Sequence, residues 1–264
     1  MGHSSTVLVT GATGFVGRHL VSALLAKGFK VRASGRNVEI ARAMPWFDDV
    51  EFRTADIHAP DLDVAALTDG VEAIAHLAWP GLPNYQALFH FERTLPLDYA
   101  FLKRVIEAGV SHVLVTGTCF EYGLQSGPLS ETVIAQPCTP YGLAEHTLHR
   151  FLAALQRGRA FTLQWARLFY LHGEGQDPTS LLASLDRAID EGDAQFNMTA
   201  GDQLRDYLEI GQAASQLASL IAGRDVDGVI NCCSGHPVSV RALVEQRVRE
   251  RQSAEDVLHD AFVS

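Results

Sequence analysis

Three glycines at fixed spacing, in Thr10-Gly11-Ala12-Thr13-Gly14-Phe15-Val16-Gly17, constrain the fold more than any other feature of the chain. Before them, Thr6-Val7-Leu8-Val9-Thr10 reads as a β-strand. After them, Val16, Leu20 and Leu24 recur every four residues, which places them on one helical face, and Gly28 supplies a stop. In such a strand–turn–helix, Gly11 takes the tight turn, Gly14 lets the backbone approach a diphosphate, and Gly17 lets the helix pack closely on the strand. The helix N-terminus then presents N–H groups to phosphate oxygens. Gly11, Thr13, Gly14, Phe15, Val16 and Gly17 are therefore expected to bind a dinucleotide cofactor.

Further short β-branched runs follow at 30–34, 50–54, 73–78, 112–116, 161–167 and 228–232, nearly all followed by a helical pattern. That alternation predicts an α/β fold, a Rossmann-like doubly wound parallel sheet. Long helical stretches are expected at about 91–108 and 141–156. From about Leu168 the pattern loosens into Gly- and Pro-containing loops, with helical pieces near 179–190 and 238–251. The expected organisation of the 264 residues is a dinucleotide-binding domain over 1–167, with 208–232 returning to it, and a smaller C-terminal substrate lobe over 168–207 and 233–264.

The formal net charge of −10 repels polynucleotide phosphates and anionic lipid, so neither nucleic acid nor a membrane surface is an expected partner. A small anion held by one helix end or one or two arginines is still compatible with that charge. No apolar run approaches the ~18 residues needed to span a bilayer. The opening Met1-Gly2-His3-Ser4-Ser5 also lacks a basic region followed by an apolar stretch, so a cytoplasmic protein is expected. Cys119, Cys138, Cys232 and Cys233 show neither metal-ligand nor disulfide-framework spacing, and no metal is predicted.

Dinucleotide folds that prefer NAD place Asp or Glu at the end of the second strand to bind the ribose hydroxyls. Here that position is Gly35, flanked by Arg36 and preceded by Arg32. Two guanidinium groups suit a 2′-phosphate, so NADP(H) is favoured, with NAD(H) as the alternative.

Beyond the glycine turn, the chain carries Asp56-Ile57 after the third strand, His76-Leu77-Ala78 after the fourth, Thr116-Gly117-Thr118 after the fifth, and Pro140-Tyr141-Gly142. Further on come Gly201-Asp202-Gln203-Leu204-Arg205-Asp206-Tyr207 and Asn231-Cys232-Cys233-Ser234-Gly235-His236-Pro237. In these ordered motifs the sequence resembles the extended short-chain dehydrogenase/reductase family of nucleotide-sugar epimerases, dehydratases and ketoreductases. The resemblance implies that Asp56 and Ile57 lie near the adenine, and that Leu77 and Ala78 border the cofactor phosphates. It also implies that Thr118 and Tyr141 act at the reacting sugar carbon, beside Cys119, and that Arg205 holds the sugar-nucleotide diphosphate.

The departures from the family pattern guide the choice of reaction. Glu145 stands where relatives carry Lys four residues after the active-site Tyr. An ammonium there helps a phenol ionise and act as base, whereas a carboxylate opposes it. Glu145 therefore hurts a ketone reductase least, because reduction needs the phenol as a proton donor; Glu145 could still accept hydrogen bonds from the ribose hydroxyls. Cys119-Phe120 replaces the Asp-Glu of sugar 4,6-dehydratases, which ranks water elimination low. Tyr170 and His172 stand where Asn and Tyr are usual.

The resulting expectation is an NAD(P)-dependent enzyme that reduces a 4-keto-6-deoxysugar nucleotide, with Tyr141 as proton donor and Thr118 polarising the carbonyl. The alternatives are a nucleotide-sugar 4-epimerase and a non-catalytic NADP(H)-binding sensor. Because many relatives pair the Tyr-bearing helix and the one before the fifth strand into a four-helix interface, a homodimer is expected.

Overall fold

The computed structural model describes residues 5–193 and 195–262, with side chains described to residue 251. The opening Met1–Ser4 segment lies outside the described residues. The chain runs β1 (Thr6–Thr10), α1 (Phe15–Ala26), β2 (Lys30–Gly35), α2 (Val38–Arg42), β3 (Glu51–Thr54), α3 (Val64–Thr68) and β4 (Val71–His76). It continues through α4 (Leu95–Glu107), β5 (His112–Thr118), α5 (Pro140–Gln156), β6 (Thr162–Leu168), β7 (Tyr170–His172) and α6 (Leu181–Asp190). Next come β8 (Leu204–Arg205), β9 (Tyr207–Glu209), α7 (Ile210–Ala222), β10 (Gly228–Cys232), β11 (Val238–Ser239) and α8 (Val240–Phe262).

Seven strands form one parallel sheet in the order β10-β6-β5-β4-β1-β2-β3. The order reverses at β1: the chain first builds outward to β3, then returns to lay β4 on the other side of β1. Thr10 and His76 sit in register there, so both strands end at the same level and open a crevice at the switch point, where such sheets bind ligands.

Both faces of the sheet are covered. Leu8, Ile74, Val113 and Trp165 point toward a core shared with Phe101, Leu102, Leu148 and Leu152 of α4 and α5. Val7, Val9, Ala33, Ala75 and Leu114 point the other way, toward Leu20, Leu24 and Leu217 of α1 and α7. Since successive strand residues face opposite sides, burial on both faces requires unbroken apolar runs, which is why β1 reads Val-Leu-Val.

The chain divides into two compact units. One extends through Phe169 and takes in Ile210–Cys232; the other comprises Tyr170–Glu209 and the chain from Cys233 onward. The breaks lie two residues beyond those expected at 167 and 207. The Phe169 N–H bonds the Cys232 carbonyl at the sheet edge, and α7 begins only at Ile210. In the smaller unit β7 pairs with β9, β8 pairs with β11, and Leu182, Leu185 and Val244 form a core beside a two-bond Arg247–Asp186 pair.

Three expected elements differ. The helix expected from about 91 splits into a π-type turn, His90–Thr94, and α4. Pro96 has no N–H to donate, so it suits the first turn of a new helix better than the interior of a long one. The fourth strand ends at His76 rather than Ala78, because the chain bends away once the Leu77 N–H has bonded the Thr10 carbonyl. The last helix begins at Val240, after Val238-Ser239 has joined β8, and runs to Phe262 rather than stopping near 251.

Candidate active site

The glycine turn forms a close-fitting cradle at the end of β1. Gly11 has φ +67°, and a Cβ there would lie 2.9 Å from the Ala78 nitrogen. A Cβ on Gly17 would come within 2.1 Å of the Gly11 carbonyl oxygen, so neither position accepts a side chain without backbone movement. Gly14 is the N-cap of α1; it has no side chain to bond the helix, and the first turn carries no acidic residue. The first amides of a twelve-residue helix thus meet neither a capping side chain nor a carboxylate, as a diphosphate requires. Thr13, Phe15 and Val16 complete the turn, which fits a dinucleotide.

At the end of β2, Gly35 lies beside Thr13 and Arg36 is exposed. Arg32 overturns its sequence reading. It is buried, with Nε donating to Glu51 at 2.8 Å and Nη1 to the Leu67 and Asp69 carbonyls at 2.9 and 2.8 Å. Its side chain alternates to the far side of a pleated strand and is consumed there, leaving Arg36 as the cation at the strand end. Asp56 is exposed and accepts the His58 N–H, while Ile57 packs on the core. Leu77 and Ala78 line the crevice mouth opposite the turn.

Thr118 and Tyr141 come together. Thr118 ends β5, and its hydroxyl accepts the Phe120 N–H at 3.2 Å. Tyr141 occupies the first turn of α5, which is capped by Thr139 and carries Pro140. Its phenol is buried near Thr118 and near Glu145, one helical turn further along α5. Burial, the Glu145 carboxyl and the nearby Tyr85 and Glu121 all push the phenol well above its usual range against the smaller help of Thr118. A phenol in this setting resists ionisation.

Glu145, one turn further along α5, is 1% exposed. Burial raises its carboxyl well above the ordinary carboxylate range, and Glu121 and Asp98 push it in the same direction. These two neighbours are themselves held ionised despite burial. The Asp98 carboxylate accepts from His58 at 2.6 Å and lies 3.6 Å from His76, whose Nδ1 pairs with Thr10 at 2.9 Å. Glu121 receives Trp165 Nε1 at 2.8 Å, Arg167 Nε at 3.0 Å and the Thr118 N–H at 3.1 Å, with His146 at 3.6 Å.

Sequence reading missed several of these groups. Asp98 sits within the apolar stripe of Leu95, Phe101, Leu102 and Val105, and a carboxylate in such a stripe was the available signal. The rings around Tyr141 had none: Trp79, Tyr85, His90 and Phe120 stand 5.8, 5.5, 5.3 and 6.2 Å from its ring. Trp79, Tyr85 and His90 come from one segment after β4 and Phe120 from the turn after β5, all distant in sequence from Tyr141, whose N–H bonds the Tyr85 carbonyl.

In the smaller unit, Arg205 stacks over Tyr170 at 5.3 Å and donates to the Leu204 carbonyl and the Gln203 amide oxygen. Asp206 accepts the Ser234 and Gly235 N–H groups, which joins the two late motifs. Asn231 belongs instead to the sheet, where it bonds Tyr122, Glu131 and Leu129. His172 borders a cavity of about 820 Å³ with Glu174, Asp186 and Glu250 on its wall. Cys119 is half-buried after Thr118. No disulfide joins any of the four cysteines, no metal-binding cluster occurs among the described residues, and no described helix is long and apolar enough to cross a membrane.

Residues 7–233 match the NAD dependent epimerase/dehydratase family. The chain is 30% identical over 246 residues to dTDP-6-deoxy-L-talose 4-dehydrogenase (NAD(+)) of Aggregatibacter actinomycetemcomitans, covering 92% of this chain and 90% of that protein. It is 28% identical over 260 residues to dTDP-6-deoxy-L-talose 4-dehydrogenase (NAD(P)(+)) of Kitasatospora kifunensis, covering 92% and 78%. The structure of MoeE5 in complex with UDP-glucuronic acid and NAD superposes with a TM-score of 0.80 at 27% identity, covering 93% of this chain and 82% of that one.

Proposed function

The chain belongs to the NAD-dependent epimerase/dehydratase family, of the extended short-chain dehydrogenase/reductase type, and from that membership we propose that it reduces the 4-keto group of a nucleotide-linked 6-deoxysugar, with NADP(H) favoured over NAD(H). The coarser activity, NAD(P)-dependent chemistry on a nucleotide sugar, follows from the relatives. The observation that carries the finer reading is the state of Tyr141, a buried phenol kept protonated beside a hydroxyl and a carboxyl, without an ammonium.

The cofactor, when bound, supplies hydride. Gly11, Thr13, Gly14, Phe15, Val16 and Gly17 would hold its diphosphate, Ala78 and Leu77 would border it, Asp56 and Ile57 would meet the adenine, and Arg36 would receive a 2′-phosphate. Thr118 polarises the sugar carbonyl and Tyr141 gives its proton to the oxygen. The aromatic surround of Tyr141 excludes water from that transfer. Cys119, Tyr170 and Arg205 are assigned to the substrate, with the Arg205 guanidinium toward the diphosphate. The protein works as a homodimer through α4 and α5, the latter exposing Leu143 and Phe151.

The test is to follow reduced-cofactor absorbance when the purified protein meets nucleotide-linked 4-keto-6-deoxyhexoses with NADPH or NADH. Stoichiometric consumption is expected. Interconversion of 4-epimers without net consumption, or cofactor binding with no turnover, would overturn the reading.

A further inference from the structure

We infer that Glu145 is a neutral carboxylic acid that hands its proton to Tyr141, so that two residues one helical turn apart form a paired proton donor that biases the site toward reduction. The inference rests on the reductase reading for its consequences, but its central claim concerns the resting protein alone.

The geometry favours the protonated form of Glu145 in the resting protein. It is fully enclosed, its Oε2 has no hydrogen-bond partner, and no ion pair among the described residues involves it. A buried, ionised carboxylate with an empty-handed oxygen is strongly disfavoured, whereas the protonated group needs only an acceptor for its O–H. Two other carboxylates face it. Asp98 comes from α4 and is paired with His58 and His76; Glu121 comes from the turn after β5 and is paired with Arg167 and His146. Arg167 is spent on Glu121, while Lys103 and Arg104 of α4 are engaged by Glu107 and the Leu62 carbonyl, so a third negative charge beside Asp98 and Glu121 finds repulsion from both. On α5 itself, His149 is pushed down to about 4 by burial, so it brings no charge at neutral pH.

The transfer balances. As hydride bonds to the carbonyl carbon, the Tyr141 O–H breaks and its proton joins the carbonyl oxygen. The resulting phenolate takes the Glu145 proton. Glu145, now ionised between Asp98 and Glu121, recovers a proton from solvent before the next turnover. One hydride from the reduced nicotinamide and one solvent proton have then added across C=O. In the oxidative direction the pair must first lose a proton, which the flanking carboxylates oppose. Because the two groups are in contact, they titrate as a pair rather than singly.

Glu145 acts through Tyr141 and is a positioning residue, so its test reads protonation directly. In the cofactor-free protein at neutral pH, the infrared difference between wild type and Glu145→Gln should contain the carbonyl stretch of a protonated carboxylic acid. If only ionised-carboxylate bands differ, the inference is overturned. Glu145→Leu replaces the amide variant for this spectrum if Gln does not fold. In turnover, Glu145→Gln should lower reductive kcat about tenfold or more with little change in KM, and should remove the high-pH fall of the rate profile. An unchanged pH profile would refute proton supply by Glu145. Glu145→Lys should bring alcohol oxidation to lower pH by easing ionisation of Tyr141. A protonated-acid band without consumption of NADPH or NADH would leave Glu145 as assigned while removing the reductase reading, so the two failures are distinguishable.

Discussion

At the scale of single residues, partners decide what a charge can do. Arg32 and Arg36 flank the same strand end and are indistinguishable by type, yet Arg32 is bound to Glu51 and two carbonyls while Arg36 is exposed. Arg36→Ala should therefore weaken NADPH binding by about tenfold or more and leave NADH nearly unchanged, since one charge-assisted contact to a 2′-phosphate is worth ~1.5–3 kcal/mol. Fluorescence titration with both cofactors checks this, and an equal loss for both would show that Arg36 does not select. The same lesson holds for the carboxylates. Asp98, Glu121 and Glu145 are all buried, but hydrogen bonds from His58 to Asp98 and from Trp165 and Arg167 to Glu121 hold those two carboxyls below the usual range, while Glu145 Oε2 has no partner and burial pushes its carboxyl up.

At the scale of elements, Glu121 ties the short turn Cys119–Tyr122 to β6. Its carboxylate caps the turn at Thr118 and reaches Trp165 and Arg167 across two strands. Gly117 is required there, because a Cβ would meet the Trp165 indole nitrogen at 2.3 Å and the Glu121 carboxylate at 2.4 Å. Glu121→Ala should cost about 3–5 kcal/mol, the usual result of stranding one member of a buried ion pair, in this case Arg167. Urea unfolding measures that loss, and a change below about 1 kcal/mol would mean that Arg167 finds another partner. Sequence periodicity placed α1, β1 and α5 well because each carries its own apolar pattern and its own end signal. It failed at 91–95, although Pro96 marks a helix start there, and at Val238-Ser239, where a two-residue strand answers to a distant neighbour and leaves almost no local trace.

At the scale of the whole molecule, the order β10-β6-β5-β4-β1-β2-β3 brings the ends of β1, β4 and β5 to one edge, and every group assigned to proton transfer lies on α4, α5 or the segments leaving that edge. Of these, α5 carries Leu143 and Phe151 outward at 44% and 43% exposure, with Tyr99 of α4 against Phe151 at 5.3 Å. A charge at the centre of an apolar self-complementary face is costly. Light scattering is therefore expected to give a dimer for the wild type and a monomer for Phe151→Asp; a monomeric wild type would sink the homodimer.

The glycine spacing, the β-branched runs and the helical stripes were enough to determine the doubly wound sheet and its phosphate turn, because those depend on local backbone freedom and on which faces must be buried. The family resemblance implied in addition that Glu145 stands where relatives carry Lys. Its protonation could not be read that way. It follows from how tightly α4, α5 and β6 enclose it and from the partners already claimed by Asp98 and Glu121, which are facts of three-dimensional neighbourhood. The fate of Arg32 and the aromatic surround of Tyr141 were decided in the same way, by residues far apart in the chain whose meeting no local pattern records.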